Sequence, residues 1–318
     1  MNVPLNTSLP SVLSPVLTPF DSDMSPSASR FLKHCESLLR QDVGLAMFGT
    51  NSEATSLTIA EKRALLDTLL DAGLPPEKMM PGTGACALSD TVELTRHSVN
   101  SGCAGVLMLP PFYYKGVSDE GLFRAFSYVI DSVADTRLKV FLYHIPPVSG
   151  VGISCDLIER LLKAFPGTIA GIKDSSGDWA NTEAMLQRFG SENFEIFAGS
   201  ETFLLRTLRG GGAGCITATG NVNPAAIARL AKTWQDDDAD EQQRALDAVR
   251  SAFQRFPMIP AMKAAIAMAS GDNNWSLVRP PLVELAAEQR SHLQGALDSI
   301  GFEVADAEQL AERDTATL

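Results

Sequence analysis

Positive charge is short in this sequence. Lysine and arginine total 26 against 38 aspartates and glutamates, a formal net charge of −12 at pH 7. Nucleic acids and anionic membrane surfaces are held by basic footprints, so neither is expected as a partner. Long apolar runs are also missing, and none reaches the roughly 18 residues that span a bilayer. The opening stretch MNVPLNTSLP has neither a basic segment nor an apolar one behind it, so no secretory leader is expected. Cysteine is sparse: five residues, at 35, 86, 103, 155 and 215, with no CxxC pair. An odd, scattered set suits reduced thiols in a cytoplasm better than a disulfide framework. The four histidines, at 34, 97, 144 and 292, stand alone. Zinc-type ligand spacing is therefore absent, and we expect a reaction that uses no metal and no cofactor.

What is present is alternation. With 45% hydrophobic and 20% charged residues, the composition is that of a soluble globular chain. Short apolar runs start at Ser11 (SVLSPVLTPF), Gly44 (GLAMFGT), Lys78 (KMMPGTG) and Gly105 (GVLMLPP). Four more start at Lys139 (KVFLYHIP), Thr168 (TIAGIKD), Phe194 (FEIFAGS) and Gly212 (GAGCITA). Most starts lie about 20–35 residues apart, the length of a strand plus a crossover helix. Their continuous apolarity indicates strands buried on both faces, as in parallel sheets. TIAE at 58–61 and DTVE at 90–93 have capping-box form. AEKRALLDTLLDAG aligns Ala64, Leu65, Thr68, Leu69 and Ala72 as one helical stripe. The expected fold is α/β, a (β/α)8 TIM barrel over 11–235. An N-terminal extension (1–10) precedes it, and a C-terminal helical region (236–318), broken by prolines, follows as an appendage.

Barrel active sites lie at the C-terminal ends of the strands. Thr50, Tyr143, Lys173 and Gly199 all stand at such ends. Lysine is rarely buried unless it is paired or employed. By strand parity Gly171 and Lys173 share a face, with Gly171 leaving space beside the lysine stem and Ile169 filling the layer below. A desolvated amine there can attack a ketone and form a Schiff base. Tyr143, on the preceding strand, faces the same way and can shuttle protons. His144 points by parity to the helix layer. The loop FGTNSEA at 48–54 offers hydroxyl, amide and backbone donors suited to a small carboxylate. GGGAG at 210–214 precedes a strand instead of following one, and reads as a helix-to-strand turn.

Together these segments resemble the dihydrodipicolinate synthase and N-acetylneuraminate lyase family of class I aldolases. The resemblance runs from about Val12 to beyond Pro260 through LTPF (17–20), GTNSEATSL (49–57), PPFYYKGVS (110–118), YHIPPVSG (143–150), GIKDSSGD (171–178) and GNVNP (220–224). It implies that Lys173 forms the Schiff base with pyruvate or a related 2-oxo acid and that Tyr143 relays protons. It implies further that Thr50 joins the relay, that Thr50 and Asn51 meet the substrate carboxylate, and that the Ile216 carbonyl faces the keto acid. Gly199 and Glu201 fall where the family binds the rest of the substrate. Tyr113 or Tyr114 matches a tyrosine lent across a tight dimer, with Tyr113 favoured by the spacing of the sialic acid lyases. The implied assembly is a dimer of dimers.

The departures bear on the substrate. Asn51 and Ser52 replace a Thr-Gly pair, and His144 replaces an asparagine. Val148 stands where lysine-pathway synthases carry an arginine for the second substrate's carboxylate; Lys115 is the cation in the loops nearby. Glu201 and Thr202 do not reproduce the acidic pair that holds a sugar tail. The expected function is an aldolase that makes or breaks a 4-hydroxy-2-oxo acid. Three alternatives stay open: a dehydratase of a 2-keto-3-deoxy sugar acid, a dihydrodipicolinate synthase despite Val148, and a non-catalytic barrel that binds a keto acid.

Overall fold

The computed structural model describes residues 9–190 and 193–311, so most of the expected N-terminal extension and the last residues of the C-terminal region lie outside the described residues. Among the described residues, seven strands, all parallel, form one sheet: β1 (Val12–Ser14), β2 (Gly44–Leu45), β3 (Val106–Met108), β4 (Val140–His144), β5 (Ile169–Asp174), β6 (Glu195–Ala198) and β7 (Gly214–Ile216). Their order is β2-β1-β7-β6-β5-β4-β3. The eighth expected run, KMMPGTG, is reduced to two bridges: Met79 pairs with Leu45, and Gly82 with Leu107. Pro81 explains the break, because it has no N–H to give a ladder. The segment still joins both edge strands, so the sheet curls onto itself.

Alternation sorts the side chains. Leu13, Ala46, Met80, Leu107, Phe141, Tyr143, Ala170, Phe197 and Ile216 meet in a single cluster fed by every stave of the curled sheet. Val106, Met108, Val140, Leu142, Ile172 and Ile196 point the other way, into the helix layer. Ile169 corrects an expectation. It packs with this outer set, because the register slips between Val140 and Phe141 and reverses the parity of its strand below Gly171. Gly171 leaves no gap either. A Cβ there would come within 2.3 Å of the Glu195 carbonyl and 2.7 Å of the Phe141 ring. Glycine is what lets that ring and the next strand close in beside Lys173.

Helices follow the staves: Ala28–Arg40, Ile59–Asp71, Leu88–Asn100, Asp119–Val133, Cys155–Ala164, Trp179–Phe189, Leu204–Arg209 and Pro224–Lys232. Thr58 and Glu61 form the expected capping box. The buried stripe of that helix is Lys62, Leu65, Leu66 and Leu69, rotated from the expected one because two adjacent leucines draw the face toward themselves. DTVE makes no cap. The helix begins earlier, at Leu88, and Thr91 Oγ1 instead accepts from the Ala85 N–H at 3.0 Å. GGGAG is the turn between the helix ending at Arg209 and β7.

Four further helices, Ala239–Gln254, Met258–Ser270, Ala287–Asp298 and Ala307–Leu310, follow the last of these. Their apolar faces pack with Leu17, Ala218 and Val222, which lie just past the C-terminal ends of β1 and β7. The C-terminal helices thus roof the end of the sheet where the candidate residues stand.

Candidate active site

Lys173 and Tyr143 are register partners on β5 and β4. The Lys173 side chain enters the interior with 2% exposure. Its Nζ lies 3.4 Å from the Tyr143 hydroxyl and 4.5 Å from the centre of that ring. The Tyr143 hydroxyl shares a 3.2 Å hydrogen bond with Thr50 Oγ1. Amine, phenol and threonine hydroxyl therefore form one chain along which protons can pass. Asp174 does not neutralise its neighbour. Its carboxylate is turned outward and accepts from the Ser176 N–H, Asn181 Nδ2 and Thr182 Oγ1 at 2.9, 3.1 and 2.7 Å.

These groups open into a cavity of about 380 Å³. Thr50, Asn51, Tyr143, Val148, Lys173 and Gly199 line it. Thr50 and Asn51 begin a 3₁₀ turn, Thr50–Ser52, which supplies no carbonyl for its own first N–H groups. The loop is held from two sides. Thr18 Oγ1 donates to the Ser52 carbonyl at 2.8 Å, and Glu53 receives Lys263 Nζ at 2.5 Å and the Arg279 N–H at 2.8 Å. Gly199 lets β5 and β6 converge, since a Cβ on it would lie 2.1 Å from Ser175 Oγ.

Other candidates fall elsewhere. Ile216 is fully buried in the interior cluster. Glu201 sits behind the cavity wall with its carboxylate occupied by the hydroxyls of Thr217 and Thr219 and, at 3.3 Å, by Arg250 Nη1. Tyr113 and Tyr114 stack edge to face but stay 75% and 73% exposed, away from Lys173. Lys115 is committed to the carbonyls of Phe112 and Ser149. His144 faces the helix layer as expected. Its Nδ1 accepts from the Ile153 N–H at 2.9 Å, and burial holds the imidazole below its ordinary pKa while the Asp174 charge opposes the shift.

Two parts of the site went unforeseen. Pro257, Met258, Ile259 and Pro260 form a wall, and Arg250 brings a guanidinium into the same cavity. A signal for Arg250 existed. It stands four residues after Leu246 and three before Phe253, both buried, on the inward stripe of its helix.

Known proteins share this sequence pattern and fold. The model of the dihydrodipicolinate synthetase family matches residues 8–300. An uncharacterised DapA-like lyase of Chloroflexus aurantiacus is 33% identical over 293 residues, spanning 91% of this chain and 96% of that protein. The crystal structure of dihydrodipicolinate synthase from Agrobacterium tumefaciens superposes with a TM-score of 0.84 at 32% identity, over 91% of this chain and 99% of that one. YagE, a prophage protein of Escherichia coli K12 crystallised with pyruvate, gives a TM-score of 0.82 at 27% identity, over 92% and 99%. The chain is a lyase of the dihydrodipicolinate synthetase family.

Proposed function

We propose that this enzyme makes or breaks a carbon–carbon bond beside a pyruvate unit through a Schiff base on Lys173. The neutral amine attacks C2 of a 2-oxo acid, and the carbonyl electrons move to oxygen, which takes a proton from Tyr143. The nitrogen returns a proton to the Tyr143 phenolate, Tyr143 then protonates the hydroxyl, and the carbinolamine loses water to leave an iminium. In the cleavage direction the 4-hydroxyl gives its proton to the Tyr143 phenolate as the C3–C4 bond breaks. That electron pair enters the iminium as an enamine, and an aldehyde departs. The enamine takes a proton at C3, and water hydrolyses the iminium to release pyruvate. Thr50 passes protons on from Tyr143, and Thr50 with Asn51 receives the substrate carboxylate.

One observation carries the reading: a buried lysine with no carboxylate on it, bonded to a phenol that is bonded to a threonine, at the bottom of a cavity. Borohydride reduction in the presence of pyruvate should fix a mass increment on Lys173. Lys173→Ala should lose it, and an undiminished adduct in that variant sinks the assignment. Pyruvate released from 4-hydroxy-2-oxo acids reports cleavage, whereas a dehydratase leaves the carbon chain whole.

The architecture around the site we read as a (β/α)8 barrel over 11–235, with 79–82 as its third stave and 236–318 as a helical appendage. We further propose a dimer of dimers in which Tyr113 of a second copy approaches the site. The exposed tyrosine pair supports this, as does a second cavity of about 480 Å³ that shares Thr50 and Tyr143 as its wall. A fully active monomer in sedimentation would exclude it. Five free cysteines support a cytoplasmic location.

A further inference from the structure

We infer that Arg250 is a specificity residue that binds a second carboxylate at the far end of the substrate, so that the preferred substrate is a 2-oxo diacid. The inference rests on the Schiff-base reading, because it takes C2 of that acid to be held at Lys173.

Arg250 and Lys173 line the same cavity. The arginine side chain is 14% exposed. Both of its hydrogen bonds run through Nη1, to Glu201 Oε2 at 3.3 Å and to Thr217 Oγ1 at 3.5 Å, each longer than a well-formed bond. Nε is buried and has no acceptor. A buried donor on a charged group is costly to leave unpaired. With Nη1 anchored and Nε shut away from the cavity, Nη2 is the donor left open to it, and a charged N–H there can meet a carboxylate. A neutral polyhydroxy tail would match this cation less well, because a hydroxyl accepts an N–H without bringing the opposite charge. The acidic group nearest this arginine is Glu201, whose carboxylate is buried and already takes two threonine hydroxyls. The cation faces the cavity and the anion stands behind it.

Position points the same way. Val148 follows β4, whereas Arg250 is anchored to residues that follow β6 and β7. Lys173 on β5 lies between them in strand order. A substrate fixed at Lys173 can therefore extend toward Arg250 on the side away from Val148.

The test is borohydride trapping with matched pairs of probes: oxaloacetate, 2-oxoglutarate and 2-oxoadipate against 2-oxobutyrate, 2-oxopentanoate and 2-oxohexanoate. The wild type should reach half-maximal labelling with at least one diacid at a concentration about 10- to 100-fold below that of its monoacid, the usual worth of a charge-assisted pair. Arg250→Met should erase that ratio, and Arg250→Lys, which keeps the charge but not the fork, should recover part of it. Because Arg250→Met strips Glu201 of its cation, the double variant Arg250→Met/Glu201→Gln serves as a second reading of the same ratio. No diacid preference in the wild type, or a preference that survives both variants, overturns the inference. A wild type that forms no adduct even with pyruvate overturns the Schiff-base reading first, and this one with it.

Discussion

Lys173 and Lys263 are both shut away from solvent, at 2% and 0% exposure, yet their amines stand in different company. Lys263 Nζ lies 2.5 Å from Glu53 Oε1 and 2.7 Å from the Leu277 carbonyl, with the Phe20 ring centre 4.4 Å away. Burial pushes its pKa down to about 8, with Glu53 pulling the other way. Lys173 also has an aromatic ring beneath it, but its hydrogen-bond partner is a phenol. The partner, not the depth of burial, separates the two. A carboxylate and a carbonyl fix Lys263 as a tie between the loop after β2 and the C-terminal helices. A phenol leaves the Lys173 nitrogen uncommitted and offers it a route for protons.

The largest effect that can break this contrast is catalytic. Tyr143→Phe keeps the aromatic body inside the cluster and removes only the hydroxyl. It should lower turnover by roughly 10²–10⁴-fold, the usual size for a positioned acid–base group, with little change in the denaturation midpoint. Normal turnover in that variant would remove the phenol from the mechanism and with it the distinction drawn for Lys173.

Next in size is a stability difference. Lys263→Met leaves the buried Glu53 without its paired cation, which should cost about 3–5 kcal/mol. Lys173→Met removes a buried amine that no carboxylate pairs with, and should match or exceed the wild type in stability. Urea unfolding of the two variants measures the gap. Equal midpoints would mean that the Glu53 pair matters no more than the Tyr143 contact. Adding Glu53→Gln to Lys263→Met should recover a large part of the loss, since the unpaired charge is then gone.

How much of this was readable beforehand follows from the distances along the chain. Lys173, Tyr143 and Thr50 announced themselves because strands buried on both faces read as apolar runs, and a lysine at the end of one is conspicuous. Ile169 was misjudged because a register slip leaves no mark in composition. The short third stave is visible afterwards in Pro81, which reads as an ordinary turn residue until the ladder is known. Glu53 and Lys263 are 210 residues apart, and neither segment names the other. Arg250 lies in the polar helix ADEQQRALDAVRSAFQ, where a charge looks like surface. Only its place between Leu246 and Phe253 betrays it. The C-terminal helices were expected as an appendage; that they roof the cavity depends on Leu17, Ala218 and Val222, a tertiary contact with no local signature.

Val148 sharpens the contrast from the substrate side. Aspartate semialdehyde brings a carboxylate that the arginine of lysine-pathway synthases would meet bidentately. Val148 has no donor to offer, and Lys115 cannot stand in while its amine is held by the Phe112 and Ser149 carbonyls. Condensation of pyruvate with the semialdehyde should therefore run roughly ten- to a few-hundred-fold below an arginine-bearing synthase in kcat/KM. Val148→Arg should raise it. Efficient condensation by the wild type in a coupled assay would show that another cation serves this carboxylate.

His34 applies the same rule to a third buried titratable group, with the smallest expected effect. Its Nε2 donates to Asn221 Oδ1 at 2.9 Å, an oxygen that also accepts the Leu17 N–H, while Asn221 Nδ2 donates to the Pro15 and Ala218 carbonyls. A neutral acceptor gives an imidazolium nothing to balance it, so burial pushes the His34 pKa down to about 4, against the hydrogen bond from Asn221's side. Below its ordinary pKa the unfolded chain takes up a proton that the folded chain refuses. Stability from this group is thus intact above about pH 6.5 and drains away as pH falls toward about 4. Between about pH 7.5 and 5.5 the loss should be about 1.3 kcal/mol. His34→Gln keeps a donor for Asn221 and cannot protonate. Urea midpoints at the two pH values should fall less for that variant than for the wild type, the carboxylates being common to both. An identical fall would mean that His34 already carries its proton at neutral pH, or that acid reaches the fold through other groups alone.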